Sequence, residues 1–417
     1  MKKLLVFLMI MATLFSLCAC GGGDTKPTEE SKPVITDVAE PYTQAMLDAI
    51  PIATADMTME QLRQICVDFM RYQVTIPWAP SKEVYYNYSG EKYLTLPAMQ
   101  VVGGMPYITL CQGSIYNFLH FYDESNGYVD MDAVFALGDT WEKIFGNQCS
   151  GATYWAWARV CNTVSYKYTS DMTSMFGCYP VGPHTIPAGV LDFGNGAYNT
   201  TQICKLNGEQ VMYESYAAAL PADGFVQCED AGHVQMASAA PNVVRNADGT
   251  IDGEKSTITL LDQWPNSSKG TQSNGKDIYY MGGPEGTFTF AKLYEKGYLP
   301  FTFAEFLGTD PVEKGEVGSN VATATVTPNR LKGMQLSSNY PITNGTTTIK
   351  DAEGKVLYTA ITFAPTSNIK KNFGIGVSLD MDVVNKLANG TNTVEIVLQI
   401  GTGEKLVAYS GTLVPNT

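Results

Sequence analysis

The sequence predicts an α+β unit followed by an all-β sandwich. Three observations carry this: apolar residues at helical spacing in the first part of the chain, short alternating runs between turn residues from Pro180 onward, and a nearly continuous strand pattern from about residue 318 to the end. Helices first and strands afterwards is the order of an α+β layered fold.

The first twenty residues stand outside that fold. Lys2 and Lys3 precede a nearly unbroken apolar run from 4 to 17, which closes with Leu17-Cys18-Ala19-Cys20 and three glycines. The segment resembles a bacterial lipoprotein signal, residues 1–19, with cleavage before Cys20 and lipidation of its sulfur. An ordinary secretory peptide is the alternative. Either way the chain leaves the cytoplasm, and a lipid on Cys20 would hold it at the outer face of the cytoplasmic membrane or on the cell surface. No later apolar run reaches 18 residues, so no spanning helix competes with the lipid as the attachment. Residues 20–37, rich in Gly, Thr, Lys, Pro and Glu, read as a flexible tether.

The chain has 417 residues and a formal net charge of −14, which becomes −16 once Lys2 and Lys3 are removed. Nucleic acid and anionic lipid both require clustered positive charge, so neither is an expected partner. The roughly 380 residues that remain exceed one common core size, which predicts two domains, 38–312 and 318–417. Besides Cys18 and Cys20 there are seven cysteines, an odd number for an exported chain, so at least one stays unpaired in a monomer. With no C-x-x-C pair and three histidines in all, a structural zinc site is not supported, and no Rossmann or Walker signature is present. No cofactor is expected.

Taken in order, Met57-Thr58-Met59-Glu60 leads into Leu62, Ile65, Cys66, Phe69 and Met70, an amphipathic helix with Thr58 as N-cap. Residues 73–78 and 103–107 read as turn-rich segments with exposed aromatics, and Trp78, beside Pro77 and Pro80, as a cleft wall. A second helix is expected over 114–122. Residues 130–145 are mixed and are placed over a cleft. A small-residue apolar run, 152–160, follows Asn147-Gln148-Cys149-Ser150-Gly151, and its Trp155 and Trp157 are expected to pack the helix against the sheet. Strands are expected at 190–193, 224–227, 233–236 and 256–264. Residues 246–254 faintly resemble a calcium loop but lack its carboxylate spacing and read as an acidic hairpin turn.

The second unit alternates or buries at 322–326, 346–349, 356–361, 374–379 and 393–398, with a short helix at 381–387. Its length and spacing fit a sandwich of immunoglobulin-like kind. It holds no histidine and no catalytic cluster, which makes it an accessory module.

Cys149 is the candidate nucleophile. At a helix N-terminus, unpaired backbone N–H groups and the helix dipole favour a thiolate and can hold the oxyanion that it creates. The competing reading is a buried, inert cysteine, a role that Cys161 could share twelve residues later. For a base, His120 lies in a helical apolar stretch and His184 in a turn, whereas His233 starts a strand and can approach a helix start with fixed geometry. A third group should orient the ring. Asp262 is preferred because a carboxylate accepts the far ring N–H, while Gln263, on the opposite face of the same strand, is its rival.

These residues together resemble the NlpC/P60 and related papain-like amidases and cell-wall peptidases. Asn147-Gln148-Cys149-Ser150-Gly151 is similar to that family's Asp-Cys-Ser-Gly motif, Gly232-His233-Val234 to its His-Val strand start, residues 220–226 to its strand lead, and Gly104-Met105-Pro106-Tyr107 to its upstream tyrosine setting. The likeness spans about residues 100–265. Asn147-Gln148 in place of aspartate and the 42 positions between Tyr107 and Cys149 depart from the family pattern. The resemblance implies a papain-like fold, a Cys149-His233-Asp262 thioester mechanism and an oxyanion role for Tyr107 with the Cys149 backbone. Three functions remain open: an amidase or peptidase acting on peptidoglycan stem peptides or another amide, a binding protein for cell-wall peptide or glycan, and a transamidase using the same thiol.

Overall fold

Thr58 starts the 17-residue helix Met59–Thr75 by a reciprocal cap: its hydroxyl accepts from Gln61 N at 3.2 Å, and Gln61 Oε1 accepts from Thr58 N at 2.9 Å. In the computed structural model, residues 37–87, 93–109, 111–136, 146–174, 178–187, 199–228, 232–264, 268–327, 329–365, 369–387 and 391–415 are described. The expected signal, nearly all of the tether with Cys20, the run 190–193 and residues 137–145 lie outside them. The helix buries Leu62, Ile65, Cys66, Phe69 and Met70 along one stripe, each such side chain worth about 1.5–3 kcal/mol when fully buried. Residues 73–75 were expected in a turn but complete this helix. Its end comes at Ile76 (φ −50°, ψ 120°), because Pro77 excludes the α region for the residue before it.

The chain is α+β. Its main sheet has six strands, all antiparallel to their neighbours, in the order Gly283–Thr289, Thr257–Asp262, His233–Ala237, Gly224–Gln227, Leu299–Phe303 and Cys178–Pro180. Helices Met59–Thr75 and Cys149–Trp157 pack on each other and on the His233 strand. Every residue of Cys149–Trp157 is buried, as expected for a helix that is apolar all round. Trp155 Nε1 donates to Gln112 O at 3.0 Å and Trp157 Nε1 to Ala222 O at 2.9 Å, so both tryptophans pack and pin it.

The order of helices before strands does not hold. Helices Thr200–Asn207, Glu209–Ala217 and Phe290–Glu295 lie among the strands, and Tyr213, Tyr216 and Phe290 join in one aromatic cluster with Phe225 of the sheet. A capping box at Asn199 and Gln202 favours the first of these over strand, against the strand preference of Thr200, Thr201 and Ile203. A second six-stranded sheet of short strands contains Pro77–Pro80 and Val102–Gly103. Trp78 on that strand is 0 % exposed and donates Nε1 to Gly104 O at 2.9 Å. It is a core residue and not a cleft wall: the two prolines fix an extended strand that carries the indole inward.

From Val317 the chain forms a three-stranded and a five-stranded sheet around their own apolar core. Asn392–Ile400 shows the alternation clearly, burying Val394, Ile396, Leu398 and Ile400. Strands Met334–Ser338 and Lys405–Pro415 complete the two sheets and were not among those expected. This core and the larger one around the Cys149 helix are separate, within one compact unit. Tyr340 Oη bridges them by donating to Glu313 O at 2.8 Å, and it also lies 3.3 Å from Val160 O. No helix among the described residues is long and apolar enough to cross a membrane.

Candidate active site

The Cys149 thiol and the His233 imidazole meet because a helix start and a strand start converge. Cys149 is the first residue of its helix, and Ala152 N returns to Gln148 O at 2.9 Å to close the first turn. The N–H groups of that first turn have no carbonyl within the helix to bond, and they point past its end. Gly151 is required there: a Cβ would lie 2.0 Å from the buried Gln112 Oε1. His233 opens its strand opposite Gln227, so the ring leaves the sheet near the helix terminus.

Asp262 lies beside the ring. Its Oδ1 is 2.7 Å from His233 Nε2, and its Oδ2 accepts from Gln235 Nε2 at 3.1 Å. His233 and Gln235 are two apart on one strand, so both reach the same carboxylate from one face. A register shift between Leu260 and Asp262 turns the carboxylate as the strand ends. The ring N–H is not well aligned on Oδ1, so the contact acts as a close ion pair more than a directed hydrogen bond. With Nε2 given to Asp262, Nδ1 is the nitrogen left for the thiol.

Burial alone would lower the imidazole pKa. The Asp262 carboxylate and the neighbouring Cys149 outweigh it and raise the value from 6.5 to about 10, so the ring is held as an imidazolium at neutral pH. The other two histidines do not join. His184 is buried with Nδ1 2.9 Å from Val181 O, and burial pulls its pKa down to about 4. His120 caps the C-terminus of Ile115–Leu119 and stacks on Phe121 and Phe363.

Gln263 points away from the ring: its Nε2 donates to Met105 O at 2.8 Å. It therefore anchors the segment that carries Tyr107. That segment pairs with the approach to the nucleophile, Asn147 N donating to Pro106 O at 3.0 Å and Ile108 N to Asn147 O at 2.9 Å. Tyr107 was expected to be exposed and is 4 % exposed, because this pairing and Trp264 close over it. The Trp264 ring stands 5.8 Å from Tyr107 and 4.7 Å from His233, edge-on to the imidazole. Gln235 lies two residues from His233 on the same strand face, a spacing the sequence offered as a signal, whereas Trp264 stands past the end of Thr257–Asp262 and had only its nearness to Asp262. Tyr298, buried near Asp262 and Cys149, and Tyr166 carried no such signal.

Residues 246–254 form a hairpin turn in which Asp248 Oδ1 accepts from Thr250 N at 3.0 Å. Among the described residues no group of three or more His, Cys, Asp or Glu is placed to hold a metal ion, and all seven described cysteines are free thiols. A thiol at a helix start, an imidazolium and a carboxylate in line can attack a carbonyl carbon and return a proton to the leaving group. No protein-family model matches this chain, and no curated protein shows significant similarity to it.

Proposed function

We propose that this chain is an exported, lipid-anchored cysteine amidohydrolase of the papain-like NlpC/P60 kind, with an immunoglobulin-like accessory module, acting on amide bonds of peptidoglycan stem peptides. The observation that carries the reading is His233 set between Asp262, at 2.7 Å, and the thiol of Cys149. Three residues from three elements, 29 to 113 positions apart in the chain, meet with the polarity that acyl transfer needs.

In this mechanism the Cys149 sulfur forms a bond to the amide carbon, and the carbonyl electron pair moves to oxygen, facing the Cys149 backbone N–H and Tyr107. The C–N bond breaks as the imidazolium gives its proton to the departing amine. The neutral ring then takes a proton from water, and the hydroxide releases the acyl group from sulfur. Asp262 keeps Nε2–H turned away from the thiol throughout.

The test is limiting iodoacetamide near pH 6 on residues 38–417, with the modified peptide mapped by mass and the protein then offered stem peptides. Selective alkylation of Cys149 that falls by about 10²-fold in His233→Ala, together with new amine termini, is the expected result. Slow labelling spread over all seven cysteines would leave Cys149 inert and the reading without support.

A further inference from the structure

We propose that Tyr166 is a positioning residue for acyl transfer to Cys149: its phenol holds the two residues that flank the nucleophile, and through them the first-turn N–H groups that receive the developing negative charge. The inference rests on the amidohydrolase reading above.

Helices ordinarily start on a Ser, Thr, Asp or Asn whose side chain bonds a first-turn N–H. Here Gln148 occupies the N-cap position (φ −111°, ψ 177°) and makes no such bond. Its amide Nε2 instead donates to Tyr166 Oη at 2.9 Å, and Ser150 Oγ lies 3.1 Å from the same oxygen. One hydroxyl therefore ties down the residue before Cys149 and the residue after it. The chemistry is complementary: the phenol oxygen accepts from the Gln148 amide, which leaves its own proton for the Ser150 hydroxyl. Burial raises the Tyr166 pKa, so the phenol keeps that proton through the working range.

The ring itself is fixed to the helix body. Tyr154, one turn along the same helix, meets Tyr166 edge-on at 5.7 Å, and its own hydroxyl donates to Val164 O at 3.0 Å. Tyr168 closes the other side at 5.4 Å. Cys149 thus begins a helix whose first turn is held from outside by a side chain braced against its second turn. Oxyanion donors act only when they are already in place as charge develops, so an external brace has a catalytic effect that a loose helix start lacks.

Two reactions of one thiol separate this role from a general structural one. Iodoacetamide alkylates at a saturated carbon with loss of iodide and forms no oxyanion. p-Nitrophenyl acetate passes through one: sulfur bonds the acetyl carbon, and p-nitrophenolate leaves with the electron pair of the broken C–O bond. In Tyr166→Phe the alkylation rate at Cys149 should stay within about twofold of wild type while the acylation burst slows about tenfold, less than the loss of a direct oxyanion donor. Ser150→Ala and Gln148→Ala should each slow acylation by a smaller factor, and both keep the test available if Tyr166→Phe does not fold. Equal acylation in all three variants, or alkylation falling in step with acylation, overturns the inference. A wild-type chain that is neither alkylated selectively nor acylated removes the reading on which it rests, and the inference with it.

Discussion

In residues 317–415 the buried polar groups are nearly all bonded: Asn392–Ile400 sends Val394, Ile396, Leu398 and Ile400 inward, and its buried Asn392 donates Nδ2 to Leu387 O at 3.0 Å. Among the described residues of that region, Thr347 Oγ1 is the one buried side-chain polar atom without an aligned hydrogen bond. The described residues within 63–305 hold thirteen such atoms, and those of Gln112, Asn147, His233, Gln235, Asp262 and Gln263 gather around Cys149. His233 Nε2 and Asp262 Oδ1 face each other at 2.7 Å as an ion pair, whereas a buried polar atom with no partner costs about 1–3 kcal/mol that the surrounding core must offset. Unpaired buried polar atoms thus collect in one region and are nearly absent from the described residues of the other, the pattern expected where a site and not packing alone fixes the side chains.

The largest difference between the two regions is expected at Cys149. Cys149→Ala should remove acyl transfer by roughly 10⁴-fold or more while far-UV circular dichroism stays unchanged, since a small residue is already accommodated in this buried helix. Residual p-nitrophenolate release above a hundredth of wild type would move the chemistry elsewhere.

Next comes the pair at the end of the His233-facing strand. Asp262→Asn removes the strongest influence raising the His233 pKa from 6.5 to about 10, so the alkaline limb of the rate profile should move to lower pH. The sign for stability follows. A raised imidazole pKa stabilises the fold fully below about 6.5 and loses that contribution as pH passes 10, so the Tm gap between wild type and Asp262→Asn should close over that range. Gln263→Ala should leave the alkaline limb in place and lower stability by about 1–2 kcal/mol through the lost bond to Met105 O. A limb that moves in Gln263→Ala and not in Asp262→Asn would reverse their assignment.

The smallest effects compare like with like. Gln235→Leu leaves Asp262 Oδ2 without its 3.1 Å donor and should slow acylation about tenfold. Thr347→Val exchanges a buried, unbonded hydroxyl for a methyl and should be neutral or stabilising by up to about 1 kcal/mol in urea denaturation. If Thr347→Val destabilises by as much as Gln235→Leu slows the reaction, the two regions do not differ in the way described.

Much of this was legible before the fold was known. The capping box at Thr58, the helix opening at Cys149, the strand opening at His233 and the helix Met381–Leu387 are local patterns: hydrogen bonds within four residues and side chains at a fixed period decide them. Asp262 falls on its expected strand and closes it, whereas Gln263, expected on the opposite face of that strand, lies just past its end. Trp78 was misread because a run of prolines and aromatics has one local signature whether it faces water or core. The helices at 200–217 were missed because their apolar stripe is interrupted by Thr, Gln and Ser, although the capping box of Asn199 and Gln202 is a local signal that could have found the first.

The sequence by itself determined the residue types, the helix start beneath the thiol and the two strands that carry His233 and Asp262, because these follow from bonds and periodicity between near neighbours. Tertiary structure decided which of Asp262 and Gln263 meets the ring, that Trp264 shields it and that Tyr166 braces Cys149. Those contacts join residues 16 to 31 positions apart or more, across elements whose relative placement is set by burying two apolar faces together and not by any periodicity along the chain.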